Sequence, residues 1–204
     1  QLDDLNQKHE KDIGSLKNEI KILQQNFQST INEIKNEKAK SFEYVNGHEF
    51  EGIFNYLNTK CGGNSHLNGL INITSNGDEH YKCYDLIDPK FTNWFYPSEN
   101  PNSYVQFDFK ERKVSISKYS LKNKGMCCYK LINWEVEVSK DGEKWTQIDE
   151  RHINEWSGDF NVSTYSTHSQ EFYRYIKICL KGPDSSNNYN FLLSSIELFG
   201  KLNE

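Results

Sequence analysis

The first 40 residues carry a narrow apolar stripe at helical spacing. Its members recur three or four positions apart, with His9 filling the one gap: Leu2, Leu5, Ile13, Leu16, Ile20, Leu23, Phe27, Ile31 and Ile34. A mean spacing of about 3.6 residues predicts one continuous α-helix with these side chains on one face. So narrow a stripe does not stabilise an isolated helix, which therefore needs a partner surface. The contact residues are expected to be Ile13, Leu16, Ile20, Leu23, Phe27 and Ile34.

Three partners for this stripe stay open. The pattern favours a coiled coil in which residues 1–40 pair in parallel with a second copy of the chain. The stripe could instead pair with a different chain, or pack on the protein's own globular domain.

From residue 103 onward the apolar period becomes two. Apolar and polar residues alternate in 104–109 and again in 134–138, and Lys140-Asp141-Gly142 supplies hairpin-turn chemistry before 143–148. Further strands are predicted at 113–120, 127–132, 172–180 and 191–199. Many short strands separated by turns indicate an antiparallel β-sandwich.

One short helix is predicted near the start of this region. Phe50, Ile53, Phe54 and Leu57 follow the i, i+3, i+4, i+7 spacing of a helix face over 49–58. The helix is expected to end before the two glycines at 62 and 63.

Composition supports a division at residue 40. The chain has 204 residues, and its 28 aromatic residues include only Phe27 before residue 41. The predicted organisation is therefore a coiled-coil helix over 1–40 and a β-sandwich domain over 41–204.

A net charge of −5 with three arginines disfavours nucleic acid as a partner. No apolar run is long enough for a membrane span.

The five cysteines are Cys61, Cys83, Cys127, Cys128 and Cys179. The count is odd, two residues are adjacent, and none forms a CxxC pair, which favours free thiols in a reducing compartment. We therefore expect a cytoplasmic protein.

Four segments occur in the order and spacing of a known family: 103–109, 134–145, 172–178 and 196–200. In these segments the chain resembles the discoidin domain, also called the coagulation-factor type C domain. The opening segments 52–57, 60–64 and 71–74 are similar to the intracellular branch found in protists. The resemblance implies an eight-stranded jelly-roll β-sandwich of the galactose-binding-like kind. It also implies a non-enzymatic domain without a cofactor, which binds ligands through loops at one end.

The resemblance places three ligand-binding loops at about 76–84, 92–96 and 121–127. Their candidate contact residues are Asp78, Glu79, His80, Asn93, Trp94, Phe95, Lys122 and Lys124. The charged tips differ from the apolar tips of lipid-binding members, so membrane insertion is not expected. Trp94 and Phe95 are the apolar anchor candidates, although Trp94 could instead close the bottom of the sandwich.

Several residues have structural interpretations. Arg174 shares a face with apolar strand residues, so its guanidinium needs a carboxylate, and the resemblance offers Asp108 or Glu197. Trp134 and Trp145 fit the core, whereas the polar surroundings of Trp156 leave its exposure open.

Two metal sites are weak candidates. Cys61, His66, His80 and Cys83 could bind zinc, but ordinary zinc sites space their ligands more tightly. Asp78 and Glu79 could contribute to a calcium site, but the pair lacks further oxygen ligands. We therefore predict no metal.

The function predicted from the sequence is a non-enzymatic binding or scaffold module that a coiled coil presents in several copies. It would recognise a protein or glycan partner through its loops. One alternative is a structural, cytoskeleton-associated protein of the filament or axoneme type, and the other is a carbohydrate-binding lectin.

Overall fold

The computed structural model describes residues 2–77, 81–88, 90–123, 129–156, 162–167, 169 and 171–204. For residues 2–6, 8 and 32–38 it describes the backbone alone. The chain divides into two compact units, residues 1–39 and 40–204. The division differs by one residue from the predicted boundary, because Lys40 already belongs to a strand of the second unit.

The first unit is one helix, α1 (Leu2–Lys38). Ile13, Leu16, Ile20, Leu23 and Phe27 are between 51% and 71% exposed. Ile34 lies in α1, and its side chain is outside the described residues. No described helix is both long and apolar enough to cross a membrane.

The second unit is an antiparallel β-sandwich with nine described strands, where the resemblance implied eight. They are β1 (Lys40–Phe42), β2 (Asn72–Ser75), β3 (Tyr104–Asp108), β4 (Lys113–Lys122), β5 (Asn133–Ser139), β6 (Trp145–His152), β7 (Val162–Ser166), β8 (Tyr175–Leu180) and β9 (Ser195–Asn203). One sheet has the order β1-β9-β4-β7 and the other β2-β3-β8-β5-β6. A helix, α2 (Ile53–Cys61), and a 3₁₀ turn (Cys83–Ile87) complete this unit.

The core forms where the alternating faces of the two sheets meet. Val105 and Phe107 point inward from β3, and the indole of Trp134 is fully buried from β5. Trp134 donates a hydrogen bond from Nε1 to the Tyr119 hydroxyl at 2.9 Å. Trp134 also stacks on Trp156, which is buried and donates its own Nε1 hydrogen bond to the Leu131 carbonyl. Trp134 and Trp156 therefore both lie in the core.

Trp145 corrects the second core prediction. Its side chain is only half-buried at the start of β6, where its ring lies edge-on to Tyr175. The Lys177 ammonium lies 4.1 Å from the ring centroid. Alternation placed Trp145 on the right element, but on the outer face of the five-stranded sheet.

Arg174 pairs with Asp108 and not with Glu197. Its guanidinium donates two hydrogen bonds to the two Asp108 carboxylate oxygens, at 2.7 and 2.9 Å. Burial raises the pKa of Asp108, but the hydrogen bond and charge of Arg174, together with the backbone N–H and charge of Lys110, hold the pKa below its ordinary value. Glu197 lies inside the domain instead, where it accepts hydrogen bonds from the backbone of α2.

Three cysteines are described, and each has a free thiol: Cys61, Cys83 and Cys179. Cys127 and Cys128 lie outside the described residues. Burial raises the pKa of the Cys179 thiol to about 12. We predict that alkylation under denaturing, non-reducing conditions labels all five cysteines, as counted by mass spectrometry. A count of three or one would reveal a disulfide.

Candidate functional site

Loops from both sheets meet at one end of the sandwich. The backbone N–H of Phe95 donates to the Leu193 carbonyl at 2.7 Å, and that of Ser194 donates to the Lys122 carbonyl at 2.7 Å. The Asn76 side chain donates to the Asn102 carbonyl at 2.7 Å. These bonds join the segments that follow β2 and β4 to those that precede β3 and β9.

A groove of about 640 Å³ opens among these loops. Three of its lining side chains are aromatic, two are amides, one is aliphatic and one is a carboxylate: Trp94, Tyr96, Tyr129, Asn188, Asn190, Leu192 and Glu99. This volume lies within the range of about 300–1,000 Å³ typical of small-molecule sites. The groove therefore combines flat apolar faces with hydrogen-bonding groups that can fix a ligand's orientation.

The buried Asp184 carboxylate holds one wall of the groove in place. It accepts hydrogen bonds from the backbone N–H groups of Ser186 and Asn188, at 2.7 and 3.1 Å. Its other oxygen accepts from the Asn190 side-chain amide at 2.7 Å. The two asparagines that line the groove are thus positioned by one residue below the surface.

Backbone strain concentrates in the same loops. Four described non-glycine residues have a positive φ, and three belong to the groove loops: Ser98 at 101°, Tyr129 at 64° and Asn187 at 63°. Such conformations cost of order 1–3 kcal/mol each, and they cluster at ligand-binding sites. The strain at Tyr129 is notable because its bulky side chain itself lines the groove.

The structure brings one predicted contact residue into the groove. Trp94 lines it, and Tyr81 packs edge-on to the Trp94 ring at 5.7 Å. Asn93 is half-buried beside Trp94, and Lys122 joins the loop cluster through its backbone carbonyl. Four others lie outside the described residues: Asp78, Glu79, His80 and Lys124.

Phe95 corrects the prediction of an exposed anchor. Its side chain is 0% exposed, and its ring packs edge-on to Phe191. Phe95 therefore belongs to the core below the groove, and its ring is not available to a ligand.

Six groove residues were missed from the sequence: Tyr96, Glu99, Tyr129, Asn188, Asn190 and Leu192. Part of the signal was present. The run Asn187-Asn188-Tyr189-Asn190 mixes amides with an aromatic residue between two predicted strands, as a recognition loop does.

The weak zinc candidate gains no support from the described ligands. His66 Nδ1 accepts a hydrogen bond from the Ile73 N–H at 2.9 Å, and the Cys83 thiol donates to the Ile73 carbonyl. Cys61 donates to backbone carbonyls of its own turn. These donor atoms are engaged in the local fold.

A different group of possible ligands lies on the five-stranded sheet, where Glu135, Glu137 and Cys179 have donor atoms within 4.8 Å of one another. Each glutamate already pairs with a lysine, Glu137 with Lys177 at 2.6 Å and Glu135 with Lys181 at 2.9 Å. The charges of this cluster are therefore compensated without a cation.

Comparison with known proteins bears on this arrangement. The F5/8 type C domain family matches residues 71–195. No curated protein matches the chain.

The solved structures that resemble the chain share its fold at low sequence identity. CpGH89CBM32-5 from Clostridium perfringens, in complex with GalNAc-β-1,3-galactose, is 16% identical with a TM-score of 0.52, covering 64% of this chain and 96% of its own. The family 32 CBM of C. perfringens NanJ, in complex with galactose, is 12% identical with a TM-score of 0.52, covering 64% and 94%. The C-terminal domain of a chitobiase from Bacteroides fragilis is 19% identical with a TM-score of 0.51, covering 65% and 92%. At such identity these structures establish the two-sheet fold alone.

Proposed function

The chain belongs to the F5/8 type C domain family, and we propose that its β-sandwich domain is a non-enzymatic module that binds a saccharide in the groove between the loops. The observation that carries this proposal is the lining: three aromatic side chains with two positioned amides. An aromatic face covers the apolar C–H face of a sugar ring, while amide groups both donate to and accept from hydroxyls. The galactose and GalNAc-galactose complexes of the structural neighbours add support.

The organisation of the chain fits a protein that presents one weak binding site in several copies. The sandwich domain begins at Lys40, which pairs with Leu202 at the far end of β9, whereas the groove lies beyond the opposite end of that strand. The point where the chain enters the domain is therefore remote from the groove. We propose that α1 pairs with a second copy, which turns a second saccharide contact into an intramolecular event. A protein ligand at the same groove is the competing outcome of the test below.

The test is saccharide binding by the full chain and by matched tryptophan variants. Trp94→Ala removes one aromatic face, worth about 1.5–3 kcal/mol when fully covered, so it should weaken binding about tenfold or more. Trp145→Ala removes a half-buried tryptophan on the sheet face and should leave affinity unchanged. Calorimetric titration with galactose and related neutral oligosaccharides, after a glycan-array screen, gives the readout.

Comparing Trp94→Ala with Trp145→Ala separates a loss of saccharide contact from a loss of stability. Equal losses in both variants would indicate general destabilisation, which melting curves would reveal. Unchanged saccharide affinity in Trp94→Ala, or no saccharide binding by the wild type, would contradict the assignment of the groove.

A further inference from the structure

Among the described residues that line the groove, Glu99 has the one charged side chain. It is exposed, and within the described part of the chain its Oε1 atom accepts a long hydrogen bond from the Tyr189 N–H, at 3.5 Å. Elsewhere in the described domain, several acidic groups on the strands pair with cations, as Asp149 does with Arg151 and Asp108 with Arg174. No described lysine, arginine or histidine pairs with Glu99. Among the described residues, the Glu99 carboxylate thus has no counter-ion, and it is available to a positively charged group of a ligand in the groove.

The groups around Glu99 also fit a positively charged ligand. Burial raises the pKa of the neighbouring Tyr96 hydroxyl, and the charges of Glu99 and Asp184 raise it further. The Tyr96 hydroxyl therefore stays neutral, and it can donate to a ligand while Glu99 accepts. The electron-rich faces of Trp94 and Tyr129 also favour a cation over an anion.

From these features, and resting on the proposed function, we infer that the groove selects saccharides bearing a free amino group. The ammonium of a 2-amino-2-deoxyhexose would donate a charge-assisted hydrogen bond to Glu99. Its ring would stack on Trp94 or Tyr129, and its hydroxyls would meet Asn188 and Asn190. A uronic or sialic acid would instead bring a carboxylate towards Glu99, and the two like charges would repel each other. Glu99 is thus assigned as the residue that determines specificity.

The expected preference is moderate, because Glu99 is exposed. Hydrogen bonds to charged groups are worth more than neutral ones, but solvent screens an exposed pair. We expect the wild type to bind a glucosamine oligomer about fivefold more tightly than the N-acetylated oligomer of equal length, and both more tightly than a uronic acid oligomer. The advantage of the amine should shrink at high salt, whereas binding of the acetylated oligomer should not change.

The experiment titrates the full chain with these three oligomers at low and high salt. Glu99→Gln should abolish the preference for the amine and retain binding of the acetylated oligomer. Glu143→Gln is the matched control, because it makes the same change in charge at an exposed turn between β5 and β6. That variant should keep the preference.

Failure of this inference differs from failure of the proposed function. If the glucosamine oligomer and the N-acetylated oligomer bind equally and Trp94→Ala weakens the binding of both, the amine selectivity is wrong and the saccharide groove stands. If Glu99→Gln keeps the preference for the amine, the assignment of Glu99 is overturned. If the wild type binds none of the oligomers, both proposals fall.

Discussion

Replacing Leu16 and Leu23 together by aspartate is expected to convert the protein to a monomer. It should also lower the apparent affinity for a surface coated with saccharide by about 10²–10⁴-fold, while affinity for a free saccharide stays unchanged. The reason is that the two leucines lie in the exposed stripe of α1, where an aspartate would need desolvation on association. Light scattering gives the oligomeric state, and surface binding at low and high saccharide density gives the avidity.

The stripe has the geometry of a helix seam. At 100° per residue, Ile13, Leu16, Ile20, Leu23 and Phe27 fall within an arc of about 80°. All five are more than half exposed in the single chain. Ile22 projects from nearly the opposite face, although it is also an exposed isoleucine. Ile22→Asp is therefore a matched control that should preserve the oligomer.

For the proposed pairing of α1 with a second copy, one pair of flanking charges favours the parallel orientation. In a parallel pair of α1 helices, Asp12 flanks the apolar stripe. It faces the residue that lies five positions later in the other helix, and that residue is Lys17. Lys17→Glu should weaken association, and Asp12→Lys combined with Lys17→Glu should restore it. A wild type that is monomeric at high concentration, or Ile22→Asp dissociating as readily as the leucine variant, would refute self-association through this face.

Long strands with one buried face were predictable from the sequence. Apolar and polar residues alternate in β3 and in the middle of β5, because one face meets the core and the other is more exposed. The short strands β1, β2 and β7 were missed, since three to five residues show no clear period. The predicted strand at 127–132 has no described counterpart at 129–132, where Leu131 is buried in a loop. An apolar run alone does not distinguish a strand from a buried loop.

The candidate site was only partly predictable, because its residues come from separate loops. Trp94 and the neighbouring loop followed from the resemblance to a known family. Tyr129 and the amides at 188 and 190 reach the groove through contacts between loops, which leave no local spacing in the sequence. Phe95 and Trp94 are adjacent, yet one lies in the core and the other in the groove. Successive side chains of an extended segment point to opposite faces, and the bridge between Phe95 and Leu193 turns Phe95 towards the core.

The partner of Glu197 was likewise not predictable from local spacing, because its buried carboxylate caps a helix that is distant in sequence. Its Oε1 accepts from the Phe54 N–H at 2.8 Å, and its Oε2 accepts from the Asn55 N–H at 3.0 Å. The residue before α2, Gly52, has no side chain with which to cap it. A Cβ at Gly52 would lie 2.2 Å from the Leu198 carbonyl oxygen, so glycine is required for this close approach. Glu197 thus joins β9 to α2.

Burial gives this cap a pH dependence. It raises the pKa of Glu197 to about 7 from an ordinary 4.5, although the backbone N–H donors act in the opposite direction. Between pH 4.5 and 7 the folded state therefore binds more protons than the unfolded state, so lowering the pH within this window stabilises the fold. Lowering the pH from 7 to 4.5 should therefore raise the free energy of unfolding by about 3 kcal/mol. Above pH 7, Glu197 no longer makes the free energy of unfolding depend on pH.

Glu197→Gln and Glu197→Ala separate the charge from the cap. The glutamine variant keeps an acceptor and should lose the stabilisation that the wild type gains between pH 7.5 and 5. The alanine variant leaves the N–H groups of Phe54 and Asn55 without their acceptor and should lower the free energy of unfolding by about 3–5 kcal/mol at pH 7.5. Its deficit should be larger at pH 5, because it also lacks the stabilisation that protonation of Glu197 gives the wild type. Urea unfolding above pH 4.5 avoids the range in which Asp108, with its lowered pKa, begins to lose its own contribution. His48 has a raised pKa and adds a slope of the same sign, so the measured quantity is the difference between wild type and Glu197→Gln. Parallel pH profiles for these two proteins would show that Glu197 does not titrate between pH 4.5 and 7.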